Sequence, residues 1–139
     1  MPRNGSIEEL TELKLDFLKL SSAIGCVPVA VQRADTKAVV LVAYTNEQAM
    51  KKAFQTRRLV LWSTSRNELW EKGAISGCRF VLVAAYVNCE QNSLLYYVLP
   101  TSDGVAPGMC HTANAQGIPR DCFYRRIDFD SLTLENVDP

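Results

Sequence analysis

Three cysteines in the second half of the chain have positions compatible with a metal site. Cys89 follows a strand-like run, Cys110 lies in a segment rich in Gly and Pro, and Cys122 opens another apolar run. Three thiolates converging from separate loops leave the fourth zinc position open, as in catalytic zinc sites. Spacing alone does not establish such a site, because cysteines often pack as small buried hydrophobes. For Cys26 and Cys78 we predict this packing role.

The one histidine of the chain, His111, directly follows Cys110. A lone histidine is more often a surface or packing residue. His111 stands next to a candidate zinc ligand, in a segment of turn-forming residues. It is therefore better placed than most lone histidines to act as a zinc ligand or as a general base near neutral pH.

The segment from Trp62 to Gly77 concentrates hydroxyl groups and positive charge between two tryptophans. Hydroxyls, exposed backbone amides and an arginine are groups that bind phosphate. An ordinary polar loop anchored by the tryptophans explains the composition equally well. The candidate phosphate ligands are Ser63, Ser65, Arg66, Lys72, Ser76 and Gly77.

A further polar group follows the predicted strand that ends near Val87. If the backbone stays extended, Asn88, Glu90 and Asn92 point to one side, and oxygens at that spacing can hold Mg²⁺ through water. Only one of the three is a carboxylate, so such a site would be weak. From the residue chemistry alone, a turn joining two strands is the better interpretation.

The elements that position these residues are predicted to be mostly strands. Ser6 opens a capping box for a first helix that ends before Gly25, and Thr45 opens a second helix to about Thr56. The segment 63–77 is predicted to be a polar loop with short extended pieces, and 101–120 is predicted to be mostly irregular. The chain is therefore strand-dominated α+β, with a largely antiparallel or mixed sheet or half-barrel and two short helices. The predicted strands are 27–32, 38–44, 59–62, 79–87, 93–99 and 122–127.

Length and charge narrow the class of protein. The chain has 139 residues, enough for one domain with its own core, and its 15 basic and 15 acidic residues give no net charge. A general nucleic-acid or anionic-membrane binder would carry a basic excess. No apolar run approaches the roughly 20 residues that span a bilayer. The acidic N-terminus lacks the apolar core of a secretory signal. The chain has five cysteines, an odd number that favours thiols or metal ligands over a disulfide framework. We expect a cytoplasmic location and neither nucleic acid nor membrane as a partner.

Taken together, these residues resemble the phosphoribosyl-AMP cyclohydrolase family. The strongest motif is W-S-x-S-R-x-x-L-W-x-K-G-x-x-S-G, from Trp62 to Gly77. The segment Ala43–Met50, the sequence C-H-T from Cys110 and the sequence C-F-Y from Cys122 also match, in the order of the family. The likeness covers about Val27 to Tyr124, in a chain predicted to be a single domain over residues 1–139.

The resemblance implies a zinc ion bound by Cys89, Cys110 and Cys122, with ligands shared across an intertwined homodimer. It implies that the candidate phosphate ligands of the 62–77 segment hold a phosphoribosyl nucleotide. The implied reaction of histidine biosynthesis is hydrolysis of the N1–C6 bond in the adenine ring of phosphoribosyl-AMP. His111 would then move a proton during this reaction.

The chain departs from the family pattern where relatives have the acidic sequence D-C-D-x-D. Asn88, Glu90 and Asn92 stand at those carboxylate positions, so we expect magnesium to bind weakly. Two other interpretations stay open. One is a diverged enzyme of the same fold acting on another purine-like nucleotide, and the other is a non-catalytic binding module stabilised by zinc.

Overall fold

The structure is a computed structural model that describes residues 11–13, 15, 25–72, 79–101, 112–118 and 120–139. Strands dominate it, which confirms the predicted α+β class, and the described residues contain one helix. The helix α1 is Glu47–Thr56, and the strands are β1 (Val27–Arg33), β2 (Val39–Thr45), β3 (Val60–Ser63), β4 (Glu68–Glu71), β5 (Phe80–Val87), β6 (Leu94–Pro100), β7 (Arg125–Ile127) and β8 (Leu134–Asn136).

Six of the strands form one mixed sheet in the order β4-β3-β2-β1-β6-β5. All neighbours are antiparallel except β1 and β6, which pair in parallel from Val29 opposite Leu94 to Arg33 opposite Val98. The prediction of a largely antiparallel or mixed sheet is thus confirmed. The parallel pair joins strands that are distant in sequence.

The sheet curls until its β5 edge meets the segment that precedes β3. Arg58 forms an isolated antiparallel bridge with Val81, and the amide of Leu82 donates to the carbonyl of Arg57 at 2.8 Å. These contacts give the half-barrel its shape. They also bury the start of β5, where Phe80 is 1% exposed.

The core lies on the inner side of this curled sheet, under α1. Ala49, Met50 and Ala53 form the buried face of the helix, as the spacing predicts, and the Phe54 ring lies 6.1 Å from the Tyr96 ring. Cys26 is buried at 1% exposure, which agrees with its predicted packing role, and this burial raises the pKa of its thiol. No helix in the part of the chain that the structure describes is long and apolar enough to cross a membrane.

Helix α1 begins one residue later than predicted. The N-cap is Asn46, whose side chain accepts a hydrogen bond from the amide of Ala49 at 2.9 Å. Thr45 was the predicted cap, but β2 continues through it and its side chain is buried. The predicted capping box is therefore wrong by one position, because strand pairing with β1 holds Thr45 in the sheet.

We expect Asn46→Ala to lower the free energy of unfolding by about 1 kcal/mol, because the amide of Ala49 loses its acceptor. Urea unfolding followed by circular dichroism measures this change. Gln48→Ala in the same exposed first turn is the control and should leave the unfolding midpoint nearly unchanged. Equal stability of the two variants would show that the cap contributes little.

Most of the first predicted helix lies outside the described residues. Its described residues 11–13 and 15 are not helical, and the carbonyl of Glu12 accepts a bond from the Gln91 side chain at 2.9 Å. The predicted boundary of the final strand is wrong, because the strand over 122–127 starts only at Arg125 and pairs with the unpredicted β8 as a hairpin. The predicted loop over 63–77 contains a short extended piece, as expected, and this is β4, which pairs with β3.

Candidate active site

The serine-rich segment forms the turn of the β3–β4 hairpin. Ser63 pairs with Glu68, so the turn comprises the four residues between them. Asn67 closes it with a φ of 54°, a left-handed conformation that asparagine tolerates better than most residues. Of the phosphate ligands named above, Ser65 and Arg66 therefore sit on a short, defined turn that Ser63 borders.

Ser63 organises this turn from a buried position. Its Oγ accepts the backbone amide of Arg66 at 3.2 Å and the Arg66 Nε at 3.4 Å, and it lies 3.3 Å from the Oγ of Ser65. The Arg66 Nε also lies 3.6 Å from a carboxylate oxygen of Glu68, and both of these side chains are more than half exposed. The structure thus brings Ser63, Ser65 and Arg66 together and leaves the guanidinium accessible.

A cavity of about 320 Å³ opens next to the turn. Exposed strand residues form its floor, because Val42 and Tyr44 lie on the outer face of β2 and Tyr44 pairs with Trp62 of β3. The hairpin turn forms its wall. An aromatic floor beside hydroxyl and guanidinium groups suits a ligand with a flat ring and an anionic group. The lining residues are Val42, Ala43, Tyr44, Trp62, Ser63, Thr64, Ser65, Arg66 and Trp70.

Tyr44 is the lining residue that sequence reasoning missed. No local sequence signal indicates its role, because Tyr44 stands in an apolar run and its exposure is seen only in the structure. Of the other candidate ligands, Lys72 follows β4 and its Nζ lies 5.7 Å from the ring centre of Trp70, which lines the cavity. Ser76 and Gly77 lie outside the described residues.

A larger cavity of about 450 Å³ lies along β5, on the opposite edge of the sheet. It is bordered mainly by apolar side chains, among them Leu13, Phe54 and Leu82, with Arg57 as its one charged residue. We assign the site to the smaller cavity because the hydroxyl, guanidinium and aromatic groups converge there.

Cys122 lies beside the same strand that supplies the cavity floor. The register between β1 and β2 shifts at Val31, so Val40 has no partner on β1 and its carbonyl accepts the amide of Cys122 at 2.8 Å. Val40 is two residues from Val42, about 7 Å along the strand. The irregularity in the sheet thus brings the exposed Cys122 close to one end of the cavity.

The residue before Cys122 is a partly buried carboxylic acid. Burial raises the pKa of Asp121, the charge of Asp138 raises it further, and the positive charge of Arg33 acts in the opposite direction. Arg33 is itself held by a 2.7 Å ion pair with Asp35. The charges of Asp121 and Arg33 therefore attract each other near the point where Cys122 contacts β2.

Cys89 lies at the other side of the sheet, in the exposed turn between β5 and β6. The predicted extended arrangement of Asn88, Glu90 and Asn92 is wrong, because these residues form a turn, which was the preferred alternative. The turn nevertheless brings the three side chains together. The Asn88 Nδ2 donates to the Asn92 Oδ1 at 2.5 Å, and the Asn92 Nδ2 donates to a Glu90 carboxylate oxygen at 3.4 Å.

The two described candidate zinc ligands are separated within one chain. Cys89 follows β5, whereas Cys122 contacts β2, and β6 and β1 lie between these strands. Thiolates that share a zinc ion each lie about 2.3 Å from it. No cluster of three or more His, Cys, Asp or Glu side chains suited to a metal occurs among the described residues. Cys110 and His111 lie outside them.

The side chains fit zinc better than magnesium. The thiols of Cys89 and Cys122 are exposed, and thiolates are ligands that zinc prefers. The turn that carries Cys89 offers magnesium one carboxylate, on Glu90, and two neutral amides that already bond to each other or to the backbone. The donor set therefore does not fit a magnesium site.

Comparisons with known proteins match most of the chain to one family. Residues 41–124 match the family model described as phosphoribosyl-AMP cyclohydrolase. The phosphoribosyl-AMP cyclohydrolase of Sphingopyxis alaskensis is 39% identical over 114 residues, 82% of this chain and 82% of that protein. That of Archaeoglobus fulgidus is 37% identical over 108 residues, 78% of this chain and 91% of that protein. A histidine biosynthesis bifunctional protein of Thermus thermophilus is 37% identical over 103 residues, 74% of this chain and 44% of that protein.

With the fold and the cavity, these matches identify the chain as a hydrolytic enzyme. It belongs to the phosphoribosyl-AMP cyclohydrolase family. The matched region contains the cavity, the three candidate zinc ligands and His111, and it ends before the β7–β8 hairpin.

Proposed function

We propose that this protein hydrolyses the N1–C6 bond in the adenine ring of phosphoribosyl-AMP, a step of histidine biosynthesis, in a zinc-dependent reaction. The observation that carries the proposal is the cavity next to the β3–β4 turn, with an aromatic floor, a serine and arginine wall and Cys122 near one end. The names of the relatives supply the substrate and the pathway.

The residues of the cavity have separate roles in this proposal. Tyr44 and Trp62 offer flat apolar surface to the purine ring, and aromatic faces favour such stacking. Ser65 and Arg66 bind a phosphate group, with Arg66 supplying the charge-assisted hydrogen bonds. Ser63 holds the turn from below through its bonds to Arg66. Lys72, Ser76 and Gly77 complete the phosphate site in this assignment.

Zinc bound by Cys89, Cys110 and Cys122 would act as a Lewis acid that lowers the pKa of a water molecule toward neutrality. His111 is the only imidazole of the chain and is assigned the transfer of a proton to or from the reacting ring. In this proposal, C6 of the purine faces the end of the cavity near which Cys122 lies.

We further propose that the active form is a homodimer in which each zinc site takes ligands from both chains. The separation of Cys89 from Cys122 in the sheet supports this arrangement. Exposed apolar side chains support it as well, because Val83 and Tyr86 of β5 and Phe129 and Leu132 of the β7–β8 hairpin are all more than half exposed. Exposed apolar side chains in such number are typical of a surface that a partner covers.

The direct test is to incubate zinc-loaded protein with phosphoribosyl-AMP and to follow the ring-opened product by its absorbance. Product formation that stops when zinc is removed and resumes when zinc is added supports the proposal. A protein that binds zinc and the nucleotide but forms no product would instead be the zinc-stabilised binding module. Turnover of a different purine nucleotide alone would identify a diverged enzyme of this fold.

We expect Arg66→Ala to raise KM about ten- to hundredfold with a smaller effect on kcat, because a charge-assisted bond to phosphate contributes about 1.5–3 kcal/mol. Steady-state kinetics with phosphoribosyl-AMP measure the change. Arg126→Ala, which removes an exposed arginine that does not line the cavity, is the matched control and should keep KM within about twofold. Equal KM values for both variants would remove Arg66 from the phosphate site.

A further inference from the structure

The turn between β5 and β6 is held by hydrogen bonds of its own side chains and backbone. The amide of Asn88 donates to the carbonyl of Ser93 at 3.2 Å, and the amide of Gln91 donates to the carbonyl of Asn88 at 3.0 Å. Gln91 has a φ of 55° and is buried at 4% exposure, with its side chain bonded to the carbonyl of Glu12. The backbone of the turn is therefore closely constrained.

The orientation of the Asn88 side chain follows from two backbone donors. Its Oδ1 accepts the amide of Asn92 at 2.8 Å and the amide of Ser93 at 2.9 Å. Backbone amides can only donate, so the oxygen must face them and the Nδ2 must face away. The Nδ2 meets Asn92, whose Oδ1 accepts from it at 2.5 Å.

The same logic continues to Glu90. Because the Asn92 Oδ1 faces Asn88, the Asn92 Nδ2 points to the other side, where it donates to a carboxylate oxygen of Glu90 at 3.4 Å. The backbone thus sets one direction for the whole series of bonds from Asn88 through Asn92 to Glu90, which we call the amide relay. In the amide relay, each hydrogen-bond donor faces an acceptor.

A divalent cation has no place among these groups. Both lone pairs of the Asn88 Oδ1 are used by backbone amides, and the Asn92 Oδ1 is used by Asn88. The remaining amide atoms are N–H donors, which cannot ligate Mg²⁺, and Mg²⁺ requires near-octahedral oxygen ligands. Glu90 alone supplies charge, and its carboxylate is exposed to water.

A carboxylate at position 88 would break the series of hydrogen bonds in the amide relay. Its first oxygen could still accept the two backbone amides, but its second oxygen would then face the Asn92 Oδ1. Rotating the Asn92 amide would relieve that contact and bring its oxygen against the Glu90 carboxylate instead. One acid in the relay therefore creates a repulsion, and a bound cation can remove it only when a second acid at position 92 adds a further carboxylate ligand.

We propose that the amide relay takes the place of a divalent cation in this chain and holds Cys89 in position without magnesium. Asn88 is then a positioning residue for Cys89, and this part of the inference rests on the proposed zinc site. The closing of the turn by the relay does not depend on that function.

The first test measures thermal unfolding of zinc-loaded protein as MgCl₂ is added to millimolar concentration. Wild type should show no saturable rise in unfolding temperature, because a ligand stabilises only the state that binds it. Asn88→Asp should unfold about 3–6 °C lower without magnesium, since two hydrogen bonds are lost or opposed. Asn88→Asp combined with Asn92→Asp should recover this loss as magnesium is added, with saturation.

Glu90→Gln is the matched control. Its amide oxygen can still accept from Asn92, so we expect the unfolding temperature of wild type and no response to magnesium. A saturable magnesium response in wild type that Glu90→Gln abolishes would overturn the proposal. An unchanged unfolding temperature in Asn88→Asp would also overturn it, because the relay would then contribute nothing.

The second test reads the position of Cys89 through zinc affinity, measured by competition with a chromophoric chelator. Asn88→Asp should bind zinc about tenfold more weakly, as when a group that orients a metal ligand is removed. Magnesium should restore the affinity in the double aspartate variant only. Unchanged zinc affinity in Asn88→Asp would remove Asn88 as a positioning residue. If the unfolding results hold while phosphoribosyl-AMP is not hydrolysed, the proposed function fails and the relay stands.

Discussion

Replacing Cys89, Cys110 or Cys122 by serine, one at a time, is expected to remove nearly all bound zinc and to abolish turnover of phosphoribosyl-AMP. A serine hydroxyl stays protonated near neutral pH and is a poor ligand, whereas the thiolate is the species that zinc binds. Elemental analysis of gel-filtered protein measures the zinc content, with about one zinc per chain expected for wild type.

Cys26→Ala is the control for this series. Cys26 is buried in the core, so its removal should lower stability slightly while zinc content and turnover are retained. Full zinc content in all three serine variants would contradict the proposed metal site.

The same variants test whether each zinc site takes ligands from both chains of the homodimer. If Cys89 and Cys122 of one zinc site come from different chains, mixed dimers of Cys89→Ser and Cys122→Ser contain one intact site and one site without either thiol. Random exchange of subunits then restores about a quarter of the wild-type sites, because half of the dimers are mixed. If each site is built within one chain, mixing restores no activity.

His111→Ala is expected to lower kcat by about 10²–10⁴-fold while zinc stays bound, the usual contribution of a general acid or base. The chain has no other imidazole that could replace it. Turnover and zinc content are measured on the same preparation. Added imidazole should restore part of the activity if His111 moves a proton.

Two results would contradict this role of His111. Near-normal turnover in the variant would show that proton transfer does not need the imidazole. Loss of zinc together with activity would make His111 a metal ligand.

Strand positions could be predicted from the sequence because β1, β2, β5 and β6 are runs of apolar and β-branched residues, which favour buried strands whatever their partners. The short strand β4 could be predicted only as an extended piece without defined bounds, because its sequence, Glu-Leu-Trp-Glu, places charged residues at both ends of a four-residue edge strand. The parallel pairing of β1 with β6 depends on contacts between residues that are far apart in the chain, so no local pattern indicates it.

The chemistry of the site could be predicted in part. The hydroxyl and arginine groups of the β3–β4 turn can be identified from the composition of the sequence. The cavity that they border is also lined by Tyr44, which the sequence does not distinguish from the other residues of an apolar strand. The position of Cys122 depends on the irregularity at Val40. The amide relay depends on the direction of two backbone amides, which only the folded turn defines.

The central claim is that water adds to C6 of the purine ring. Mass spectrometry of the product formed from phosphoribosyl-AMP in water enriched with oxygen-18 tests it most directly. The account predicts one oxygen-18 atom in the carboxamide of a ring-opened product whose phosphate group is unlabelled and retained. Label found in released phosphate, or an intact purine ring after prolonged incubation with the zinc-loaded protein, would contradict it.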